Sequence, residues 1–244
     1  MKRIVRRHLS NFWEYLIPFL LIDCVLIGVG LIYLGITSGP VKYEDVKESL
    51  WAVEKNGRGV CTAFVYRDEY VITASHCVQK KKRRKSSLLF FFSPWLGPVK
   101  EEVTFRNEAT GERIIGDRVG NLPLHDVAVY WLRPDLEGSL DIDDDILRLY
   151  DTFTAFSYDR SGLPLFTEGV ISNHNTAIVL NTSVKTFTGE VHGGNSGGPA
   201  INDSGDVVGI IVSHHRGTLA SYVSPASYWL ESIDLFIDVY EVTK

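Results

Sequence analysis

Short apolar runs punctuated by turn residues recur along most of this chain, and that rhythm limits what it can become. Gly59–Tyr66, Glu69–Ser75, Ser87–Phe92, Val99–Phe105, Arg113–Val119 and Val127–Leu132 form a first set. Thr152–Ser157, Leu165–Ser172, Thr176–Leu180, Val184–Phe187, Ala200–Asn202, Val207–Val212 and Leu219–Val223 form a second. A break at Ser38-Gly39-Pro40 precedes Val41–Asn56, read as a short linker and a first strand. Segments of strand length, spaced by about 8–12 residues with turn signals between them, predict an all-β sandwich or barrel. At 244 residues, 45% of them apolar, the chain can bury one large or two small cores. The acidic connector Arg133–Leu147 separates the two sets. Its Asp141-Ile142-Asp143-Asp144-Asp145 run lacks the following Gly and Glu of a calcium loop and reads as a solvated linker. A formal net charge of -5 argues against a dedicated nucleic-acid binder, so no nucleic-acid partner is expected.

The N-terminus has another character. Lys2, Arg3, Arg6 and Arg7 precede an apolar stretch from Tyr15 to Ile36, broken only by Pro18 and Asp23. A span of about 20 residues crosses a bilayer. A cleaved signal peptide carries a shorter apolar region of about 7–15 residues, and a buried core helix seldom lacks a polar face over this length. The expectation is therefore an uncleaved single-pass anchor over 15–36, with residues 1–14 as a basic cytoplasmic tail and the rest outside the cytoplasm by the positive-inside rule.

One loop stands out chemically. In His192-Gly193-Gly194-Asn195-Ser196-Gly197-Gly198-Pro199, five of eight residues are Gly or Pro around a single serine. Such a loop can bring its backbone close to a ligand. A serine hydroxyl needs a base to become a nucleophile, and the base needs an orienting partner. Val71-Ile72-Thr73-Ala74-Ser75-His76-Cys77 ends an apolar run in a histidine, and Asp126 opens the apolar run Val127-Ala128-Val129-Tyr130-Trp131-Leu132. His76 would take and return the proton of Ser196, and Asp126 would hold the imidazole tautomer. His125 is a nominal rival base. No H-E-x-x-H pattern occurs, so no metal is expected, and this route to acyl transfer needs no cofactor.

These three stretches resemble the trypsin-like (chymotrypsin-fold) serine peptidases, with motifs of the forms T-A-x-H-C, D-[VIL]-A-[VL] and G-[ND]-S-G-G-P in the order His76, Asp126, Ser196. The resemblance spans roughly residues 50 to 230. It implies two six-stranded antiparallel β-barrels, at about 49–132 and 152–224, with 37–48 and 133–151 as linkers. A C-terminal helix, placed at 225–240 from the spacing of Trp229, Leu230, Ile233, Phe236 and Ile237, would pack on the second barrel.

The resemblance also assigns roles. The N–H groups of Gly194 and Ser196 would form the oxyanion hole. Cys61 and Cys77, 16 residues apart, occupy the positions of a family disulfide, with two buried free thiols as the less favoured alternative. Asn195 stands where digestive members carry an aspartate that pairs with a newly cut N-terminus, which implies the bacterial and viral branch and no such zymogen switch. Glu190, six residues before the serine, would line the first specificity pocket and favour Lys or Arg, or else point into solvent, since this loop varies across the family. His192 and His214 lie close enough in sequence to favour an acidic residue instead, although the histidine slot of glutamate-specific relatives falls on Ile211 by strict spacing. The Lys80–Lys85 run reads as an exposed loop.

The resulting expectation is a membrane-tethered serine endopeptidase that acts on polypeptides. A catalytically silent scaffold binding protein partners is the alternative from another class, and esterase chemistry on the same triad stays open.

Overall fold

The computed structural model describes residues 41–55, 57–79, 103–133, 135–173, 177–179, 182–214 and 220–244. Residues 15–36 and Lys80–Lys85 lie outside these, as do the expected strand Ser87–Phe92 and Cys24. Among the described residues no helix is long and apolar enough to cross a membrane.

Six strands form the first half: β1 (Leu50–Lys55), β2 (Arg58–Tyr66), β3 (Tyr70–Ala74), β4 (Val103–Asn107), β5 (Arg113–Leu122) and β6 (Val127–Trp131). They close into a barrel in the order β1-β2-β3-β6-β5-β4. Seven strands form the second half: β7 (Thr152–Tyr158), β8 (Pro164–Ile171), β9 (Ala177–Val179), β10 (Thr182–Thr188), β11 (Pro199–Ile201), β12 (Val207–His214) and β13 (Ala220–Pro225). Their order is β13-β12-β11-β7-β8-β10-β9, and pairing of β13 with β10 closes a second six-stranded ring with β9 appended to β10. The strand pairs are antiparallel throughout. Two closed antiparallel barrels leave few free strand edges, which is how such a sheet avoids pairing with other chains.

The core follows the strand register. All five residues of β3 are buried, because it sits between β2 and β6 with both faces covered. One apolar cluster runs from the first barrel through Phe156, Tyr158, Ile201 and Val212 of the second, while Phe153, Ile171, Phe187 and Val223 form a separate one. Phe153 and Phe187 meet edge-on, with ring centroids 5.0 Å apart.

Three expectations need correction. The helix spans Leu230–Thr243, after a short 3-10 turn at Ala226–Tyr228, and its side chains engage the first barrel, not the second. Ile233 and Ile237 are fully buried, and Phe236 packs over Gly120 of β5. Tyr66 Oη donates to Asp234 at 2.8 Å, Arg67 pairs with Asp234 and Asp238, and Tyr70 Oη donates to Glu241 at 3.1 Å. The helix goes there because the glycine admits its aromatic ring and the hooks of β2 and β3 match its acidic positions.

The acidic connector is not a free linker. Leu136, Leu140 and Leu147 are buried, Asp143 N–H donates to the Val207 carbonyl at 3.0 Å, and Asn202 donates to the Asp143 carboxylate. Residues 41–48, expected within a linker, also belong to the packed body: Tyr43–Val46 forms a helical turn, Val46 is buried and Tyr43 Oη lies 3.3 Å from Tyr158 Oη.

Candidate active site

The register of β3 against β6, with Ala74 opposite Val127, brings the end of one strand beside the start of the other. A helical turn, Ser75–Val78, carries His76 out of the buried strand. Asp126 closes the turn before β6 with φ at 56°, a left-handed conformation that short polar side chains tolerate. Its carbonyl accepts from Ser75 N–H at 2.8 Å, and its Oδ1 accepts from His76 N–H at 2.8 Å. Oδ2 lies 2.5 Å from His76 Nδ1. The carboxylate is largely buried while the imidazole is half exposed. A buried carboxylate on Nδ1 favours the tautomer with its proton there and leaves Nε2 free to act as a base. Ser75 Oγ supports the turn, donating to Asn121 and accepting from Gln79 at 2.8 Å.

Ser196 comes from the second barrel. Its loop lies between β10 and β11 and is fastened to β12 just before β11 begins: Gly197 N–H donates to the Ile211 carbonyl at 2.7 Å, and Ile211 N–H returns to the Gly198 carbonyl at 2.9 Å. Gly194 has φ at 121°, and a Cβ there would run into the Tyr158 carbonyl, so this position requires glycine. Neither Gly194 N–H nor Ser196 N–H donates to an acceptor among the described residues, which leaves both available to a developing oxyanion.

Thr62, on β2, ties the two barrels together at this loop, and sequence reading missed it. Its N–H donates to the Ser196 carbonyl at 2.9 Å. Its Oγ1 donates to the Gly194 carbonyl at 3.0 Å and accepts from Tyr158 N–H at 2.9 Å. Thr73 Oγ1 donates to the Thr62 carbonyl at 2.6 Å. The polar position beside Cys61 in an otherwise apolar strand was the only signal in the sequence.

Cys61 and Cys77 form a disulfide, and Cys77 Sγ lies 3.6 Å from His76 Nε2. Cys61, His76 and Cys77 are close enough to resemble a metal-ligand group, but the bridge leaves no thiolate to bind one. Ser196 Oγ donates to the Val212 carbonyl at 2.9 Å, and among the described residues it makes no hydrogen bond to His76. Catalytic hydrogen bonds are commonly loose before substrate binds. Attack on a carbonyl here requires the hydroxyl to leave Val212 and turn to His76.

The other expected site residues lie as follows. Burial pushes His125 below the ordinary imidazole range, its Nδ1 lacks a partner among the described residues, and its ring lies 6.1 Å from that of Tyr228, centroid to centroid. Asn195 is buried, with no partner for its side-chain oxygen among the described residues. Glu190 does not form a buried carboxylate floor: its side chain is 83% exposed, and His192 Nε2 lies 3.4 Å from it. His214 closes β12 opposite Ser221.

Residues 61–210 match the sequence profile of the trypsin-like peptidase domain, more than half of the chain, and the chain belongs to that family of serine peptidases. No curated protein matches it in sequence. Its fold is similar to an inactive form of Rv3671c from M. tuberculosis H37Rv, at TM-score 0.59 and 17% identity, covering 80% of this chain and 89% of that one. It is similar to the MamO protease domain of Magnetospirillum magneticum, at 0.59 and 21%, covering 78% and 98%. The serine endoprotease of Yersinia pestis gives 0.60 and 17%, covering 82% and 68%.

Proposed function

We propose that this protein is a serine endopeptidase in which Ser196 attacks the peptide carbonyl, His76 transfers the proton and Asp126 orients His76. The observation that carries the reading is the His76–Asp126 pair, donated by one barrel, beside a serine loop of the other barrel held by Thr62. In the first half-reaction the serine oxygen bonds to the carbonyl carbon, and its proton passes through His76 to the departing amine. Water then attacks the acyl-enzyme by the reverse proton path and releases the acid. Gly194 and Ser196 N–H groups stabilise the oxyanion in both steps.

The basic N-terminus and the apolar run over 15–36 support a tether that holds the peptidase domain outside the cytoplasm. An oxidising compartment also suits the disulfide. Protease protection of intact cells or spheroplasts tests this: an externally accessible body that stays with the membrane fraction supports the tether, and a body in the soluble cytoplasmic fraction contradicts it.

A silent scaffold is the second reading, favoured by the Ser196–Val212 hydrogen bond. Turnover of a peptide library by the full chain separates the two. Cleavage lost in Ser196→Ala and His76→Ala supports the peptidase; cleavage unchanged in either variant defeats the triad assignment.

A further inference from the structure

The β7–β8 turn passes directly behind the glycine loop. A Cβ on Gly194 would meet the Tyr158 carbonyl and come within 3.0 Å of Asp159 Cα. Arg160 follows, and it reaches the front. A Cβ built on Gly193 would stand 2.9 Å from Arg160 Nε and Nη2 and 3.0 Å from Cζ. The guanidinium therefore occupies the space in which a side chain at 193 would lie.

Arg160 is exposed and has no carboxylate partner among the described residues. The acids nearby are engaged elsewhere. Asp159 accepts from Ser161 Oγ, Ser161 N–H and Leu163 N–H, and these bonds hold it below the usual carboxylate range. Glu108, against Gly162, is bound by Arg106. A guanidinium offers five donors in a planar fork suited to a carboxylate. Here it presents them, unspent, one residue from an oxyanion-hole donor.

The flank on which it stands follows from His76. The leaving amine takes its proton from Nε2, so it must lie over that nitrogen. Cys77 Sγ is 3.6 Å from Nε2, which puts the Cys61–Cys77 bridge beside the leaving group. β2 enters the bridge through Gly59 and Val60, and the Arg160 carbonyl is 3.9 Å from a Cβ built on Gly59. Arg160 thus sits between the start of β2 and Gly193, beside the leaving-group half of the cleft. Val212 and the end of β12 border the other half, where Ser196 Oγ is bound.

We propose that Arg160 determines specificity on the leaving-group side, selecting polypeptides with an acidic residue at the first or second position after the cleaved bond. The proposal rests on the peptidase reading for its geometry. Arg160 acts by binding a substrate carboxylate and takes no part in proton transfer.

The test uses the full chain and internally quenched peptides that are identical except for Asp, Asn or Lys at those two positions. Wild type is expected to cleave the Asp peptides with a kcat/KM about fivefold higher, the scale of one exposed ion pair. Arg160→Gln should bring the ratio close to one, and Arg160→Glu should turn the preference toward Lys at the same positions. A purely structural role would change both peptides of a pair alike and leave the ratio standing. Added salt should shrink the wild-type ratio. Binding of the same peptides to the Ser196→Ala chain, read by fluorescence anisotropy, reports recognition without hydrolysis. No hydrolysis with an Arg160-dependent preference in binding defeats the peptidase reading and keeps Arg160 as the carboxylate reader. A wild-type ratio near one, or a preference that survives Arg160→Gln in both assays, overturns the proposal.

Discussion

Thr62 shows how much of this site is set by a residue that touches no substrate. Its hydroxyl fixes the Gly194 carbonyl and with it the loop that presents the neighbouring N–H groups. Thr62→Val keeps the volume but removes both hydrogen bonds, leaving Tyr158 N–H buried without an acceptor. Stability should fall by about 1–3 kcal/mol, and kcat should fall about tenfold or more, since one misplaced oxyanion donor costs at least that. Thr62→Ser restores the hydroxyl and should recover most of kcat; a serine variant as slow as the valine variant would refute the positioning role. Gly194→Ala is harsher. The methyl group would strike the Tyr158 carbonyl, and turnover should drop about a hundredfold or more on the same grounds. The meeting of His76 and Asp126 was legible in the sequence because each stands in a short local motif whose chemistry is explicit. Thr62 was not, since its partners lie 96 and 132 residues away. Glu190 was left open because spacing alone does not tell which way a loop side chain turns, and here it meets His192 in solvent.

Among the elements, the C-terminal helix is held by groups that respond to alkali. Burial, then the Asp234 hydrogen bond, raises Tyr66; burial, then Glu241, raises Tyr70; burial, then Asp117, raises Tyr240. A phenol whose folded pKa lies above its unfolded value of about 10 adds stability that is complete below that pH and is lost as pH climbs through the folded value. The unfolding free energy from urea titrations should therefore decline as pH rises above about 10, and less steeply in Tyr66→Phe with Tyr70→Phe. Equal slopes would show that these tyrosines are not the cause. The helix itself was visible from its apolar spacing. Its destination was not, because the opening over Gly120 that receives Phe236 exists only once β5 has formed. The Cys61–Cys77 bridge ties β2 to the turn bearing His76. Reducing it should cost about 3 kcal/mol of stability in the chain-entropy account, seen as a lower denaturation midpoint with reductant; an unchanged midpoint would mean that the bridge does not constrain the unfolded chain.

At the scale of the molecule, each barrel is a closed sheet in its own right, yet the proposed triad needs both. His76 and Asp126 belong to the first barrel and Ser196 to the second, with β2 bound to the serine loop across the boundary. The all-β character was readable from turn-punctuated apolar runs, because turn chemistry is local, while the division into two barrels came from the family resemblance. The course of Arg133–Leu147 was not readable, because the leucines that bury it are sparse among acids and the hydrogen bonds that fasten it come from residues distant in sequence, Val65 and Asp68 on one side and Asn202 and Val207 on the other.

Whether the two halves assemble a working nucleophile is most directly read by labelling the full chain with an active-site-directed fluorophosphonate. The account predicts that wild type is labelled, that Ser196→Ala is not, and that His76→Ala reacts far more slowly. A correctly folded wild-type chain that stays unlabelled, or a Ser196→Ala chain labelled as fast as wild type, would contradict it.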